Sequence, residues 1–144
     1  MIQIVFGGIR IAVTQVFGNS TEAVGMAFQI QDDILDYMRT AHTGKPANND
    51  LREGKITLPL LAVLDKAEPE RREELLGRLA RCHDDEESVE YLQDAVETGG
   101  GLTFAAEVLR SYVARAVDML SEYEPSEYRT ALANLCAYIA ERDR

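Results

Sequence analysis

The stretch 25-GMAFQIQDDILDY-37 decides how the rest of the chain is read. Its apolar residues, Met26, Phe28, Ile30, Ile34, Leu35 and Tyr37, are spaced as in a largely buried helix. At about 3.6 residues per turn, Asp32 and Asp36 lie one turn apart on the same side, with Asp33 offset by about 100°. Gln29, one turn before Asp32, joins that side. A polar strip of Gln29, Asp32, Asp33 and Asp36 therefore runs along an otherwise apolar helix. Like charges at this spacing repel, and burial would raise their pKa values, so the strip faces either water or a cation. Apolar flanks on both sides disfavour free solvation. Oxygen ligands with no His or Cys nearby select a hard cation, and Mg²⁺ characteristically takes one or two carboxylates, several waters and substrate phosphate oxygens.

The segment 40-TAHTGKPANNDLREGK-55 follows and reads as a polar loop, broken by Gly44, Pro46, Asn48, Asn49 and Gly54. Lys45 and Lys55 are placed to reach a diphosphate held over the acidic helix, as point-charge donors. Asp50, between them, could orient a lysine or a metal-bound water. The plainer alternative is a solvated acidic face beside an ordinary loop.

Helical periodicity continues on both sides, with breakers between the periodic segments. Asn19, Ser20 or Thr21 is expected to cap a helix reaching about Arg39. Thr57 caps the next, with Pro59 in its first turn, Leu58, Leu61 and Ala62 on one face, and an end near Ala67. Pro69 begins another, with Leu75, Leu76, Leu79 and Cys82 inward. Asp84, Asp85, Glu86 and Glu87 admit two readings, a second metal site or a helix start favoured by the macrodipole; the dipole alone accounts for them. The run 98-TGGG-101 ends that helix. Phe104, Val108, Tyr112, Ala116, Met119 or Leu120, and Tyr123 mark one face of a long amphipathic helix. Pro125 and Ser126 restart the chain for a last helix with Leu132, Leu135, Cys136 and Ile139 inward, where Arg142 and Arg144 suit the C-terminus. The expectation is one all-α helical domain over residues 1–144, with residues 1–20 as an atypical N-terminal segment.

With 144 residues and 46% hydrophobic content, the chain can bury a core. Its formal net charge of −10, from 25 acidic and 15 basic residues, disfavours nucleic acid and anionic membrane surfaces as partners while leaving room for a local cation. Arg10 interrupts the apolar N-terminal run, and no stretch reaches about eighteen apolar residues, so no stable membrane insertion is expected. Cys82 and Cys136 are too few and too distant in sequence for a disulfide scaffold or zinc knuckle; both fall on apolar faces as buried thiols, consistent with a reducing, cytoplasmic setting.

The segments 25-GMAFQIQDDILDY-37 and 44-GKPANNDLREGKITLPLL-61 together resemble the second aspartate-rich motif of the trans-isoprenyl diphosphate synthases. In that family a G-x-x-F-Q-x-x-D-D-x-x-D helix precedes a G-K…D-L…G-K-x-T-L-P segment. The likeness extends through 100-GGLTFAAEVLRSYVARAVDML-120 and 126-SEYRTALANLCAYIAER-142 and covers about residues 21–144. The resemblance implies a class I prenyltransferase, with the C-terminal part of the isoprenoid synthase fold. In this family Mg²⁺ ions held between two aspartate-rich helices ionise an allylic diphosphate, and isopentenyl diphosphate attacks the carbocation.

Carried onto this sequence, the resemblance makes Asp32 the direct metal ligand, with Asp33 and Asp36 completing the acidic face through metal or metal-bound water. Gln29 and Lys45 would face the allylic diphosphate, Asp50 and Lys55 would complete the loop side, and Phe28 would line or support the pocket. The family's first aspartate-rich motif, the basic residues after it and the Lys-Thr pair between the motifs have no counterpart here. Ser20 and Thr21 stand where a Tyr-Gly pair usually precedes the FQ motif. The chain is accordingly expected to be a C-terminal half that binds diphosphate poorly and carries out no prenyl transfer alone, pairing as a homodimer or with a complementary synthase chain. The competing expectation is a non-catalytic subunit packed on a complete synthase, or a helical structural domain that merely retains the motif.

Overall fold

The structure, a computed structural model, describes residues 3–6, 9–12, 19–38 and 48–141. Two short strands, β1 (Gln3–Phe6) and β2 (Ile9–Ala12), pair antiparallel in the register Gln3↔Ala12, Ile4↔Ile11, Val5↔Arg10 and Phe6↔Ile9. From Asn19 onward every described element is helical: α1 (Asn19–Tyr37), α2 (Asn49–Arg52), α3 (Leu58–Lys66), α4 (Pro69–Leu79), α5 (Glu86–Thr98), α6 (Gly101–Leu120) and α7 (Glu127–Glu141). The described residues are thus all-α apart from the short N-terminal strand pair, which sequence periodicity does not separate from the helices. Its β-branched residues and the Gly-Gly dipeptide between the strands are the local signals for it.

The described chain divides into two compact units, residues 1–31 with 108–144 and residues 32–107. In the first, Ala23, Val24, Ala27, Phe28 and Ile30 of α1 are buried, as are Leu109, Ala116 and Leu120 of α6 and Cys136 and Ile139 of α7. The Ser126 hydroxyl accepts the Arg129 amide at 3.1 Å, so the expected restart at Pro125-Ser126 is a side-chain cap. A hollow of about 410 Å³ in this unit is lined by Glu22, Ala23, Met26, Tyr112, Arg115 and Met119.

The second unit is built around one apolar cluster that includes Tyr37, Leu51, Leu60, Leu64, Leu75, Leu79, Cys82, Val89, Leu92 and Val96. In this cluster α5 packs against α2, α3 and α4. Thr57 precedes α3 in an extended conformation, with Pro59 in the first turn as expected. The α3 C-terminus is closed by Arg72, whose Nε donates to the Leu64 carbonyl at 2.9 Å. Asp85 stands at the start of α5 and accepts the Ser88 hydroxyl at 2.5 Å, while Glu86 in the first turn is engaged by Arg52. Of the acidic cluster, Asp85 thus holds the N-cap position and Glu86 and Glu87 fall in the first turn, where the helix dipole favours them. Gly100, at φ +76°, turns the chain between α5 and α6 in a conformation that L side chains rarely adopt.

Three inward faces match the sequence reading at Ala62, Leu75, Leu79, Cys82, Ala116 and Leu120 and depart from it at single positions. In α3, Leu60 and Leu64 are buried and Leu61 is 51% exposed. In α4, Leu75 and Leu79 are buried while Leu76 is exposed. In α6 the buried line is Ala105, Leu109, Ala116 and Leu120, and Phe104 and Tyr123 are exposed. Where apolar residues occupy adjacent positions, helical spacing allows two faces about 100° apart, and packing selects between them. Both cysteines are buried and free. Arg39, Arg142 and Arg144 lie outside the described residues. No helix among the described residues is long and apolar enough to cross a membrane.

Candidate functional site

The acidic strip stands on α1, whose apolar residues Ile30, Ile34 and Tyr37 are buried. That burial fixes the helix rotation, and the rotation places the aspartates. Asp32 is exposed, Asp33 half-buried and Asp36 buried. Gln29, in the N-terminal unit, is exposed, and Phe28 is buried there. The carboxyl of Asp33 is pushed up from its ordinary value of 3.8 to about 6. Burial is the largest cause; the charges of Asp50, Asp32 and Asp36 add to it, and a hydrogen bond from the Leu58 amide opposes it. Three carboxylates from α1 and α2 thus act on Asp33, although Asp50 is separated from the DDxxD run by the loop.

The link between them is local and specific. Asp36 Oδ1 accepts the Asn49 amide at 3.1 Å, Oδ2 accepts the Asp50 amide at 2.9 Å, and the Asp36 carbonyl accepts the Asn48 amide at 3.0 Å. The loop read from sequence contains here a short helix, α2, whose start is tied to the end of α1. Asn48 sits at φ +60°, a left-handed conformation that Asn tolerates better than most residues, and its Nδ2 donates to Gln93 Oε1 of α5 at 2.5 Å. Leu51 is fully buried in the apolar cluster. Arg52 makes a bidentate contact with Glu86, at 2.6 and 2.8 Å. Asn48, Arg52 and Gln93 were not singled out from sequence. The Asn-Asn-Asp run was the available signal for a turn, but nothing local named its partners.

Lys55 is exposed, with its Nζ 2.6 Å from Glu53, and its backbone amide donates to the Asp50 carbonyl at 2.8 Å. Reaching a diphosphate would require exchanging the Glu53 contact, which raises the Lys55 pKa and keeps the ammonium charged. Lys45 lies outside the described residues. Beneath the strip, Tyr37 Oη and Thr57 Oγ1 are buried without a well-formed hydrogen bond, although Thr57 is close enough to oppose part of the burial-driven rise in the Tyr37 pKa.

Among the described residues, no three His, Cys, Asp or Glu side chains converge to form a metal cage. The donor set fits a different kind of cation site: Mg²⁺ uses one or two carboxylates and completes its shell with water and phosphate oxygens. Asp32 and Asp33 supply hard oxygen donors of that number, and burial together with the neighbouring carboxylates makes the charged form of Asp33 costly, a cost that a cation would offset.

Comparison with known proteins places this geometry in a family. The sequence profile of the polyprenyl synthetases matches residues 1–96, two thirds of the chain. The chain is 34% identical over 139 residues to solanesyl diphosphate synthase 1, chloroplastic, of Arabidopsis thaliana, covering 96% of this chain and 33% of that protein. It is 35% identical over 141 residues to geranylfarnesyl diphosphate synthase of Aeropyrum pernix, covering 96% of this chain and 43% of that one. Among solved structures, geranylgeranyl pyrophosphate synthase of Corynebacterium glutamicum, in complex with calcium and isoprenyl diphosphate, matches with a TM-score of 0.71 at 35% identity, over 86% of this chain and 38% of that one. The Pyrococcus horikoshii geranylgeranyl pyrophosphate synthetase matches with a TM-score of 0.75 at 30% identity, over 85% and 37%. The chain therefore spans between about a third and under a half of the length of these relatives. With the family profile matched across two thirds of its residues, it belongs to the polyprenyl synthetase family.

Proposed function

We propose that the chain supplies one acidic side of a Mg²⁺-dependent diphosphate site for prenyl transfer, in which an allylic diphosphate condenses with isopentenyl diphosphate. The observation that carries this reading is the pair Asp32 and Asp33 on α1, with the charge of Asp50 brought against Asp33 from a separate segment, at a place where burial already pushes the Asp33 pKa up to about 6. A structural helix face gains nothing from that accumulation, since it costs stability unless a cation offsets it. Bound between this face and a diphosphate, Mg²⁺ would supply charge neutralisation and Lewis acidity to the leaving group.

The chain's own residues do the rest. Asp32, exposed on α1, would be the direct ligand. Asp33 adds a second oxygen donor, directly or through metal-bound water. By the family resemblance Gln29 and Lys45 would take the allylic diphosphate, and Lys55 would add a point charge from the loop side once it leaves Glu53. Buried Phe28 supports the apolar flank. Exposed large apolar residues in each unit, Met26, Tyr128 and Tyr138 in one and Ile56 and Leu61 in the other, support pairing with a second copy or a complementary synthase chain. A cytoplasmic setting also belongs to this reading, on the composition and the free buried thiols.

Thermal unfolding tests it. Mg²⁺ and inorganic diphosphate together raise the melting temperature of the wild-type chain, neither does so alone, and Asp32→Ala abolishes the rise. An unchanged wild-type melting temperature, or a full rise in Asp32→Ala, would show that the acidic face is not a metal-diphosphate site.

A further inference from the structure

By sequence Asp36 belongs with Asp32 and Asp33, but its contacts set it apart. It is only 5% exposed, and each carboxylate oxygen already accepts a backbone amide, from Asn49 at 3.1 Å and from Asp50 at 2.9 Å. A carboxylate in this position caps the start of α2, with charge-assisted hydrogen bonds that occupy both of its oxygens. Turning it toward a cation would leave two partly buried amides unpaired.

What Asp36 holds is a segment fastened at several points. Asn48 bonds Gln93, Leu51 fills the apolar cluster, and Arg52 grips Glu86, so the segment is anchored to α5. The Asp36 contacts join it to α1. Asp50 is the residue whose charge reaches Asp33, and its carbonyl takes the Lys55 amide, so the same fastening sets where Asp50 and the stretch leading to Lys55 stand.

We infer that Asp36 is a positioning residue and not a cation ligand: it ties the 48–52 turn to the acidic helix and thereby holds the loop side of the diphosphate site in register. This rests on the diphosphate reading above, and adds a division of labour within the DDxxD run. Asp32 and Asp33 face the cation, and Asp36 faces inward.

The test uses the full chain as wild type, Asp36→Ala, Asp36→Asn and Asp32→Asn. Hydrogen exchange reports protection at the Asn49 and Asp50 amides. Thermal shifts report the midpoint in Mg²⁺ at fixed inorganic diphosphate and the midpoint in diphosphate at saturating Mg²⁺. Asp36→Ala is expected to reduce protection at both amides by about tenfold or more, the loss of a hydrogen bond to a charged group. It raises the diphosphate midpoint by about tenfold and leaves the Mg²⁺ midpoint within about threefold of wild type. Asp36→Asn keeps one acceptor oxygen and lies between, and it decides the matter if the alanine variant fails to fold. Asp32→Asn does the reverse, keeping the amides protected and raising the Mg²⁺ midpoint. An Mg²⁺ midpoint displaced by Asp36→Asn as far as by Asp32→Asn overturns the inference. So does a lower melting temperature with both midpoints unmoved, which would make Asp36 a structural cap alone. A wild-type chain with no response to Mg²⁺ and diphosphate overturns the diphosphate reading itself, and the positioning role with it.

Discussion

Adding one methyl group at two glycines should change stability in opposite directions. A Cβ at Gly101, the first residue of α6, would lie 2.3 Å from the Pro59 carbonyl oxygen and 3.1 Å from both the Pro59 carbonyl carbon and Val96 Cγ1. Ordinary contact begins about 1 Å beyond the first of these distances. The obstructing atom is backbone in the first turn of α3, so relief requires the two helix starts to separate. Overpacking of this kind costs about 1–3 kcal/mol. The helix-propensity gain of alanine is at most about 1 kcal/mol in a helix interior and smaller at a first turn, so Gly101→Ala should lose about 1–2 kcal/mol. At Gly77, exposed in the last turn of α4, a Cβ meets nothing within 4 Å, so Gly77→Ala should gain up to about 1 kcal/mol. Urea unfolding followed by circular dichroism at 222 nm separates the two, through midpoints shifted to either side of wild type at unchanged slope. The consequence reaches the site, because the α3 start that Gly101 contacts also presents the Leu58 amide to Asp33. Gly101→Ala as stable as Gly77→Ala would refute the close approach and the packing it implies.

Truncating Leu92, fully buried in the cluster around α5, should cost about 2–5 kcal/mol, read as a lower urea midpoint for Leu92→Ala; a loss typical of surface sites would place the core elsewhere. The elevated Asp33 pKa makes metal-free stability pH-dependent. The folded chain holds this proton more tightly than the unfolded chain, so the contribution is fully present below the ordinary value of 3.8 and is lost as pH rises through about 6. In chelator, wild type should therefore fall below Asp33→Asn as pH rises through that window and converge with it at low pH. A difference between the two that stays flat across the window contradicts the shift.

Much of this was legible because it rests on local rules. The breakers fell between helices, Thr57 with Pro59 announced α3, Ser126 announced α7, and the spacing of Gln29, Asp32, Asp33 and Asp36 produced one polar strip. What was not legible depended on partners distant in sequence. Leu61, Leu76 and Phe104 satisfy helical spacing as well as their buried neighbours do, and only packing distinguishes the two faces. Asp36 and Asp33 are indistinguishable as letters in a DDxxD run, yet one caps amides 13 and 14 residues away and the other carries a raised pKa. Its place between two lysines gives Asp50 only the part of orienting a lysine or a bound water. Its charge on Asp33 became visible only once Asp36 had drawn the 48–52 turn against α1.

Calorimetric titration of geranyl diphosphate into the chain, with Mg²⁺ and then with excess chelator, addresses the central claim most directly. The account predicts saturable binding in Mg²⁺, its loss in chelator, and its loss in Asp32→Ala with Mg²⁺ restored. Binding of equal strength without Mg²⁺, or in Asp32→Ala, would contradict the assignment of the acidic face as the metal-held side of a prenyl diphosphate site.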